Sequence, residues 1–391
     1  MSRAPHLALP AFNMSQRPAP QAILHVVDSL ELGGLERVVT DLAITQHQRG
    51  HRVAVFSINA TTGLAGELTR AGVDVIVGNK QGTLDMKVLR LIRHTARSMH
   101  ATVVHAHNFV PNYYAALALM GMRQRPTQVV TCHDMGTRLS NKRLRVLFNW
   151  SLKRTARVAM VGKQVHDRYT QSGMVSRERA QTVLNGIPVE RFTGSPARRQ
   201  EARRRLGLDE TAVVLGCVGR LVALKNHQLL IGLLPDLLRK QPDLHLVIVG
   251  YGDLHETLLA QARQLGVADH LTITGQRNDV ADLLPGFDVF ALPSTTEGVS
   301  IALLEACATG LPAVASRVGG NPEIIHDDET GLLVPVSDAS ATLAALERLV
   351  CDVDLRQRLG QAAQHWVGAH ASTTALEQAY DLCYRAAHQA R

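Results

Sequence analysis

DVFALPSTTEGVSIALLEACATGLPAVASRVGGNPEII, residues 288–325, is the stretch from which both fold and chemistry can be read. Its apolar run Asp288–Leu292 stops at Pro293, a polar loop follows over Ser294–Gly298, and Ile301–Ala308 is rich in helix formers. Ser300 is placed to cap that helix. The pattern predicts a strand, a loop and a helix, with the loop at the carboxyl end of the strand, where open α/β sheets bind ligands. Free amides at Val299, Ser300, Ile301 and Ala302 would form a positive end suited to phosphate. Glu297 stands just before that end, and Glu305 lies about two turns inside the helix. Amides that hold phosphate, with carboxylates on either side, suit a ligand bearing both phosphate and hydroxyls, as a sugar nucleotide does. Each acid has a plainer reading too, Glu297 as a helix-start charge and Glu305 as a solvated helix residue. The flanks of Glu305 (Leu303, Leu304, Ala306, Cys307) weigh against solvation, because a carboxylate among apolar neighbours needs a partner.

The same rhythm extends along the chain. Runs suited to strands fall at Ala22–Val27, Val53–Ile58, Val73–Val77, Thr102–His105, Gln128–Thr131, Val158–Val161 and Thr182–Leu184. They resume at Val213–Val218, Leu244–Val249, Leu271–Thr274, Val289–Leu292 and Ala313–Ala315. Helical stretches such as Leu35–His47, Lys87–Met99 and Tyr113–Met120 separate them. Such alternation predicts parallel sheets covered on both faces. A chain of 391 residues exceeds one ordinary core, so two α/β domains are expected. The break is placed after Asn185-Gly186, giving 21–190 and 191–372, with a last helix in 373–391. Residues 1–20, proline-bearing and without a signal-peptide pattern, read as a disordered tail.

Composition narrows the class. Hydrophobic residues at 46% and charged residues at 19% fit a soluble globular protein. No apolar run reaches the roughly 18–20 residues of a membrane span. Five cysteines (Cys132, Cys217, Cys307, Cys351, Cys383) are scattered without a Cys-x-x-Cys pair. That spacing points to a reducing, cytoplasmic setting and away from a disulfide frame or zinc site. Between Arg138 and Arg205 there are 17 Lys or Arg against 4 Asp or Glu, a local excess of 13. The remainder of a chain with net charge +8 therefore stands at −5. Within 138–157, Lys142, Arg143 and Arg145 alternate with Leu144, Val146, Leu147 and Phe148, as in a helix that lies on an anionic membrane surface. An amphipathic helix packed on its own sheet fits the same pattern. No nucleic-acid motif occurs, and aromatics at 4% argue against that partner.

The 288–325 stretch resembles the Glu-x7-Glu motif of retaining GT-B glycosyltransferases, in particular glycosyltransferase family 4. Val218-Gly219-Arg220-Leu221 with Lys225 resembles the family's Gly-Arg-Leu…Lys element, and Leu246–Asp253 its next strand and Gly-x-Gly turn. Asn185-Gly186-Ile187 to Phe192 resembles the segment leaving the first domain, and Gly33-Gly34 with Glu36 the glycine loop after the first strand. The resemblance implies two Rossmann-like domains across a cleft, with the last helix crossing back to the first domain. It implies donor contacts from Glu305 to ribose and from Glu297 to the transferred sugar. Gly298, Val299 and Ser300 would meet the distal phosphate, and Gly33 and Gly34 would let backbone approach the phosphate or acceptor. Arg220 and Lys225 are expected to neutralise the leaving diphosphate. His133 matches the family histidine that contacts the donor sugar, while His107 and Asp134 are weaker sugar or acceptor contacts. Arg157 and Gly162 depart from the family pattern, on the acceptor side.

The expected function is retaining transfer of a hexose or hexosamine from a nucleotide-diphosphate sugar, UDP-linked above all, to a glycan or lipid-linked acceptor of the cell envelope. No cofactor and no metal are expected; histidines 105, 107 and 133 lack a zinc-helix spacing. Asp352-Val353-Asp354 imitates a metal motif and reads better as a helix cap. Alternatives of the same architecture are a sugar-nucleotide epimerase, a phosphorylase, or a silent subunit that only binds a sugar nucleotide.

Overall fold

The computed structural model describes residues 19–31, 33–61, 63–133 and 142–390, without the side chains at 142 and 143. Asp134, residues 135–141 and residues 1–18 of the expected tail lie outside the described residues.

Thirteen strands among the described residues form two sheets, every pairing parallel. The first sheet holds β1 (Ala22–Val27), β2 (Arg52–Ser57), β3 (Asp74–Val77), β4 (Val103–His107), β5 (Thr127–Cys132), β6 (Arg157–Met160) and β7 (Ala180–Thr182). The second holds β8 (Val213–Val218), β9 (Leu244–Val249), β10 (Leu271–Ile273), β11 (Val289–Leu292), β12 (Ala313–Ser316) and β13 (Leu332–Val334). Their orders, β3-β2-β1-β4-β5-β6-β7 and β10-β9-β8-β11-β12-β13, are doubly wound. Each reverses at one point, between β1 and β4 and between β8 and β11, and the crevice there is where such sheets take ligands.

In the first half the helices are α1 (Gly34–Gln48), α2 (Ala65–Arg70), α3 (Met86–Ser98), α4 (Phe109–Ala118), α5 (Lys142–Leu152) and α6 (Lys163–Gln171). Next come α7 (Pro196–Leu206), α8 (His227–Lys240), α9 (His255–Gln264), α10 (Val280–Leu283), α11 (Ile301–Ala308) and α12 (Asn321–Ile324). The chain closes with α13 (Ala339–Cys351), α14 (Val353–His370) and α15 (Thr373–Gln389). Local signals set many ends: Ser300 Oγ accepts from the Leu303 amide, and Asp352 caps α14 through the Leu355 amide, as its reading as a cap predicted.

Two differences from the sequence reading matter. β13 was not expected, because three residues after Gly331 give no periodicity to separate a strand from a loop. β4 runs two residues past His105, so His107 is a strand residue rather than a loop residue. The α15 helix crosses back: Leu376, Tyr380, Cys383, Tyr384 and Ala387 pack with Ile23, Val103 and Val129 of the first sheet. The basic excess is also dispersed. Arg199 and Arg203 on α7 grip Asp288 at 2.7 Å each, and Arg203 is fully buried. Arg191 reaches Glu67 at 3.2 Å. Much of that positive charge is therefore spent within the fold.

The domains meet closely beside the 288–325 stretch. The Lys163 amide donates to Glu323 Oε1 at 2.6 Å, and Asn185 Nδ2 donates to the Val299 carbonyl at 3.4 Å. Gly162, the departure from the family's serine, has φ +89°, and an added Cβ would stand 2.8 Å from Glu323 Oε1. A side chain there would be strained and crowded, which accounts for glycine.

Candidate active site

Two sequence-distant segments converge at the second sheet's reversal point. Arg220 and Lys225 follow β8, and Glu297 follows β11, the strand beside it. Lys225 Nζ lies 2.5 Å from Glu297 Oε1, which also accepts from Ser294 Oγ at 2.6 Å. The loop is tied down on both sides: Thr295 donates its amide to the Leu224 carbonyl at 2.8 Å, and Gly320 donates to the Gly298 carbonyl at 2.9 Å. Gly319 makes that second contact possible, since at φ +55° its added Cβ would lie 2.0 Å from the Glu297 carbonyl oxygen. Arg220 is exposed and has no ion pair among the described residues. The site thus holds one cation already matched and one unmatched.

The amides behave as the sequence suggested. The first bond of the α11 ladder runs from Leu304 N–H to the Ser300 carbonyl, and Ser300 Oγ takes the Leu303 amide. Val299 and Ser300 are themselves buried, and the amides that precede Leu303 are left for a ligand. Across the cleft, Gly33 is the extended N-cap of α1 and Gly34 its first residue. A Cβ on Gly34 would stand 3.6 Å from Ile301 Cγ1, so the first residues of α1 and α11 lie side by side across the cleft. Lys225 beside the loop before α11, with Arg220 on the same segment after β8, puts basic side chains on the segment next to a helix start, a combination with the chemistry to receive an anion.

Glu305, just over one turn into α11, looks toward the first domain. Its carboxyl is enclosed although the residue retains some exposure, and burial raises its pKa to about 8. Asp41 raises it further, while Arg37 opposes. At such a pKa the carboxyl favours its protonated form at neutral pH. Hydroxyl donors from a ligand would favour the ionised form. Asp41 and Arg37 were missed by sequence reasoning; they sit on α1 in a cluster where Arg37 holds Asp41 at 2.6 Å and Glu67 at 2.7 Å.

The first domain contributes different chemistry. His133 directly follows β5, donating its amide to Asn108 Oδ1 at 2.9 Å. Burial lowers its pKa to about 4, and its Nε2 has no partner among the described residues. His107, expected as a sugar contact, is almost wholly buried, and its ring centroid is 6.2 Å from that of His133. Its Nε2 meets His25 Nδ1 at 3.0 Å, and its Nδ1 meets nothing among the described residues. His105 turns away from the cleft: its nitrogens bond Tyr384 hydroxyl at 2.8 Å and Thr131 Oγ1 at 2.7 Å. The residues drawn together are thus His25, His105 and His107 rather than 105, 107 and 133. His25 and Gln46 were not anticipated, since a histidine within a strand carries no motif. Metal-capable atoms of the three lie within 4.8 Å of one another. Both nitrogens of His105 and of His25 are already engaged by hydrogen-bond partners, and no carboxylate joins them, so the donor set suits a hydrogen-bonded network better than a dication.

Comparison with known proteins adds context. Glycosyltransferase Family 4 matches residues 32–191, and Glycosyl transferases group 1 matches residues 198–366. The chain is similar to a GDP-mannose-dependent alpha-(1-6)-phosphatidylinositol monomannoside mannosyltransferase of Mycolicibacterium smegmatis, 38% identical over 56% of this chain and 62% of that one. It is also similar to a UDP-Gal:alpha-D-GlcNAc-diphosphoundecaprenol alpha-1,3-galactosyltransferase of Escherichia coli, 27% identical over 68% of this chain and 71% of the relative. The chain spans between 50% and 62% of the length of the mycobacterial mannosyltransferases it matches. Anabaena Alr3699/HepE in complex with UDP shares the fold, with TM-score 0.81 over 92% of this chain and 98% of that one at 20% identity.

Proposed function

We propose that this chain, which belongs to glycosyltransferase family 4 and has the GT-B fold, transfers a hexose or hexosamine from a nucleotide-diphosphate sugar to a glycan or lipid-linked acceptor, with retention. The observation that supports this most is the approach of the first residues of α1 and α11 next to the loop where Lys225 meets Glu297. In the transfer, the bond between the anomeric carbon and the phosphate oxygen breaks, and a new bond to the acceptor oxygen forms on the same face. The acceptor's proton passes to the departing phosphate oxygen. Negative charge grows on the diphosphate, where Arg220 and Lys225 stabilise it together with the α11 amides. Lys225 would turn from Glu297 to the phosphate, freeing Glu297 for the hydroxyls of the transferred sugar. Glu305 would accept from the ribose hydroxyls. His133 would contact the transferred sugar. The chemistry as drawn uses no metal.

A UDP-linked donor remains our reading, and the GDP-mannose dependence of the mycobacterial relative makes GDP-mannose its first competitor. Donor hydrolysis and calorimetry across UDP-, GDP- and ADP-sugars test the proposal: one family of donors should bind and turn over slowly without acceptor. Absence of heat with all of them would refute it.

A membrane-bound acceptor fits the relatives' lipid substrates and the surface of α5. There Val146 is 68% exposed and Leu144 37%, beside exposed Arg145, while Phe148 and Leu152 are buried. We read this ridge as a peripheral contact with an anionic bilayer from the cytoplasmic side. No helix of the described residues is long and apolar enough to cross a membrane. Charge reversal at Lys142, Arg143 and Arg145 should weaken binding to phosphatidylglycerol-containing vesicles; unchanged partitioning removes the contact.

A further inference from the structure

The hydrogen bonds behind His107 fix its protonation. Gln46 presents Oε1 to His25 Nε2 at 2.8 Å, and its own Nε2 to the Tyr384 hydroxyl at 3.3 Å. An amide oxygen only accepts, so His25 carries its proton on Nε2 and leaves Nδ1 bare. That bare nitrogen, 3.0 Å from His107 Nε2, makes His107 the donor between them. A neutral imidazole has one N–H, so His107 Nδ1 is a lone pair, and it is enclosed without a partner among the described residues. A buried acceptor left unmet is unfavourable, which calls for a donor brought by a ligand. His107 is the last residue of β4, beside the reversal point of the first sheet, and the similarly unpartnered His133 is next to it.

We propose that His25 and Gln46 are positioning residues: they set the tautomer of His107 so that its Nδ1 accepts a hydrogen bond from a hydroxyl of a sugar bound beside His133. This rests on the sugar-transfer reading above. Tyr384, from the far end of the chain, holds the Gln46 amide in the orientation that starts the relay. The sugar is that of the donor or that of the acceptor, both of which offer hydroxyls.

The test is nitrogen NMR of the full-length protein labelled with 15N-histidine, combined with kinetics. In the free protein the His107 Nδ1 signal should sit at the unprotonated position. It should shift when a sugar nucleotide is added but not with the nucleoside diphosphate alone, or shift only with acceptor if the hydroxyl is the acceptor's. A protonated Nδ1, or no shift with either sugar, overturns the proposal. Gln46→Met should lower kcat by about 10–100-fold, the range for lost histidine-orienting partners, with donor KM little changed. In a His107→Ala background the same change should add no further loss, whereas a purely structural role would add its full effect. Additive losses therefore sink it. Should Gln46→Met fail to fold, the tautomer and the shift on wild-type protein decide. Should no sugar nucleotide bind wild-type protein, the transferase reading fails, while the His107 tautomer in free protein still decides whether the relay exists.

Discussion

Two crevices of like topology face each other here, and they are built from opposite materials. The one between β1 and β4 is floored by neutral rings: His25, His105 and His107, buried and wired to Gln46, Thr131, Tyr380 and Tyr384. The one between β8 and β11 is walled by charge, with Arg220, Lys225, Glu297 and Glu305 around a helix N-terminus. The difference matches the two ligands proposed for them. A diphosphate demands cations and free amides; a hydroxyl-bearing sugar demands directional, uncharged acceptors and donors. Burial produces both characters. It strips the proton from His25 and His133, whose pKa values fall to about 4, and it keeps one on Glu305, whose pKa rises to about 8.

The largest test of the charged side is catalytic. Lys225→Ala and Glu297→Ala should each lower turnover by about tenfold to a thousandfold, the span for lost electrostatic stabilisers. Wild-type turnover in both would detach the pair from the chemistry.

The neutral side is tested by acid. A histidine whose folded pKa is depressed contributes stability that is complete above the unfolded value of about 6.5 and lost progressively as pH falls toward the folded one. Lowering pH from 7.5 to 5.5 should therefore cost roughly 1 kcal/mol through His25, with further losses of the same sign from His105 and His107, read by urea unfolding. A flat profile would mean that these rings are not held neutral.

Glu305 should show the reverse slope. Its pKa is raised, so its contribution is complete below the unfolded value and is lost as pH rises through about 8. Relative to wild type, Glu305→Gln should gain stability from pH 5 to pH 8 by about 1 kcal/mol per unit. Parallel curves for the two proteins would place the carboxyl in water instead. The smallest expected effect is at the loop: Gly319→Ala, forced to φ +55° against the Glu297 carbonyl, should cost about 1 kcal/mol or more and loosen nucleotide binding. An unchanged unfolding midpoint would remove Gly319 as the support of Glu297.

Much of the charged side was legible beforehand because its signals are local. Ser300, Glu297 and Glu305 lie within one turn-and-helix unit, and a cap, a loop and a helix are written in consecutive residues. The neutral side was not, since Gln46 meets Tyr384 across 338 positions and His25 meets His107 across 82. The basic segment was legible only in part, for a similar reason. Its net charge was readable, but not that Arg203 would be buried against Asp288.

By itself the sequence determined the alternation of strands and helices, the division into two sheets and the phosphate-ready start of α11, since each depends on periodicity or on neighbours a few residues apart. Only the tertiary structure decided which histidines meet, which nitrogens are left unsatisfied and how far Glu305 is shielded from water. Those properties depend on desolvation and on partners delivered from distant segments, and neither quantity exists until the chain has folded.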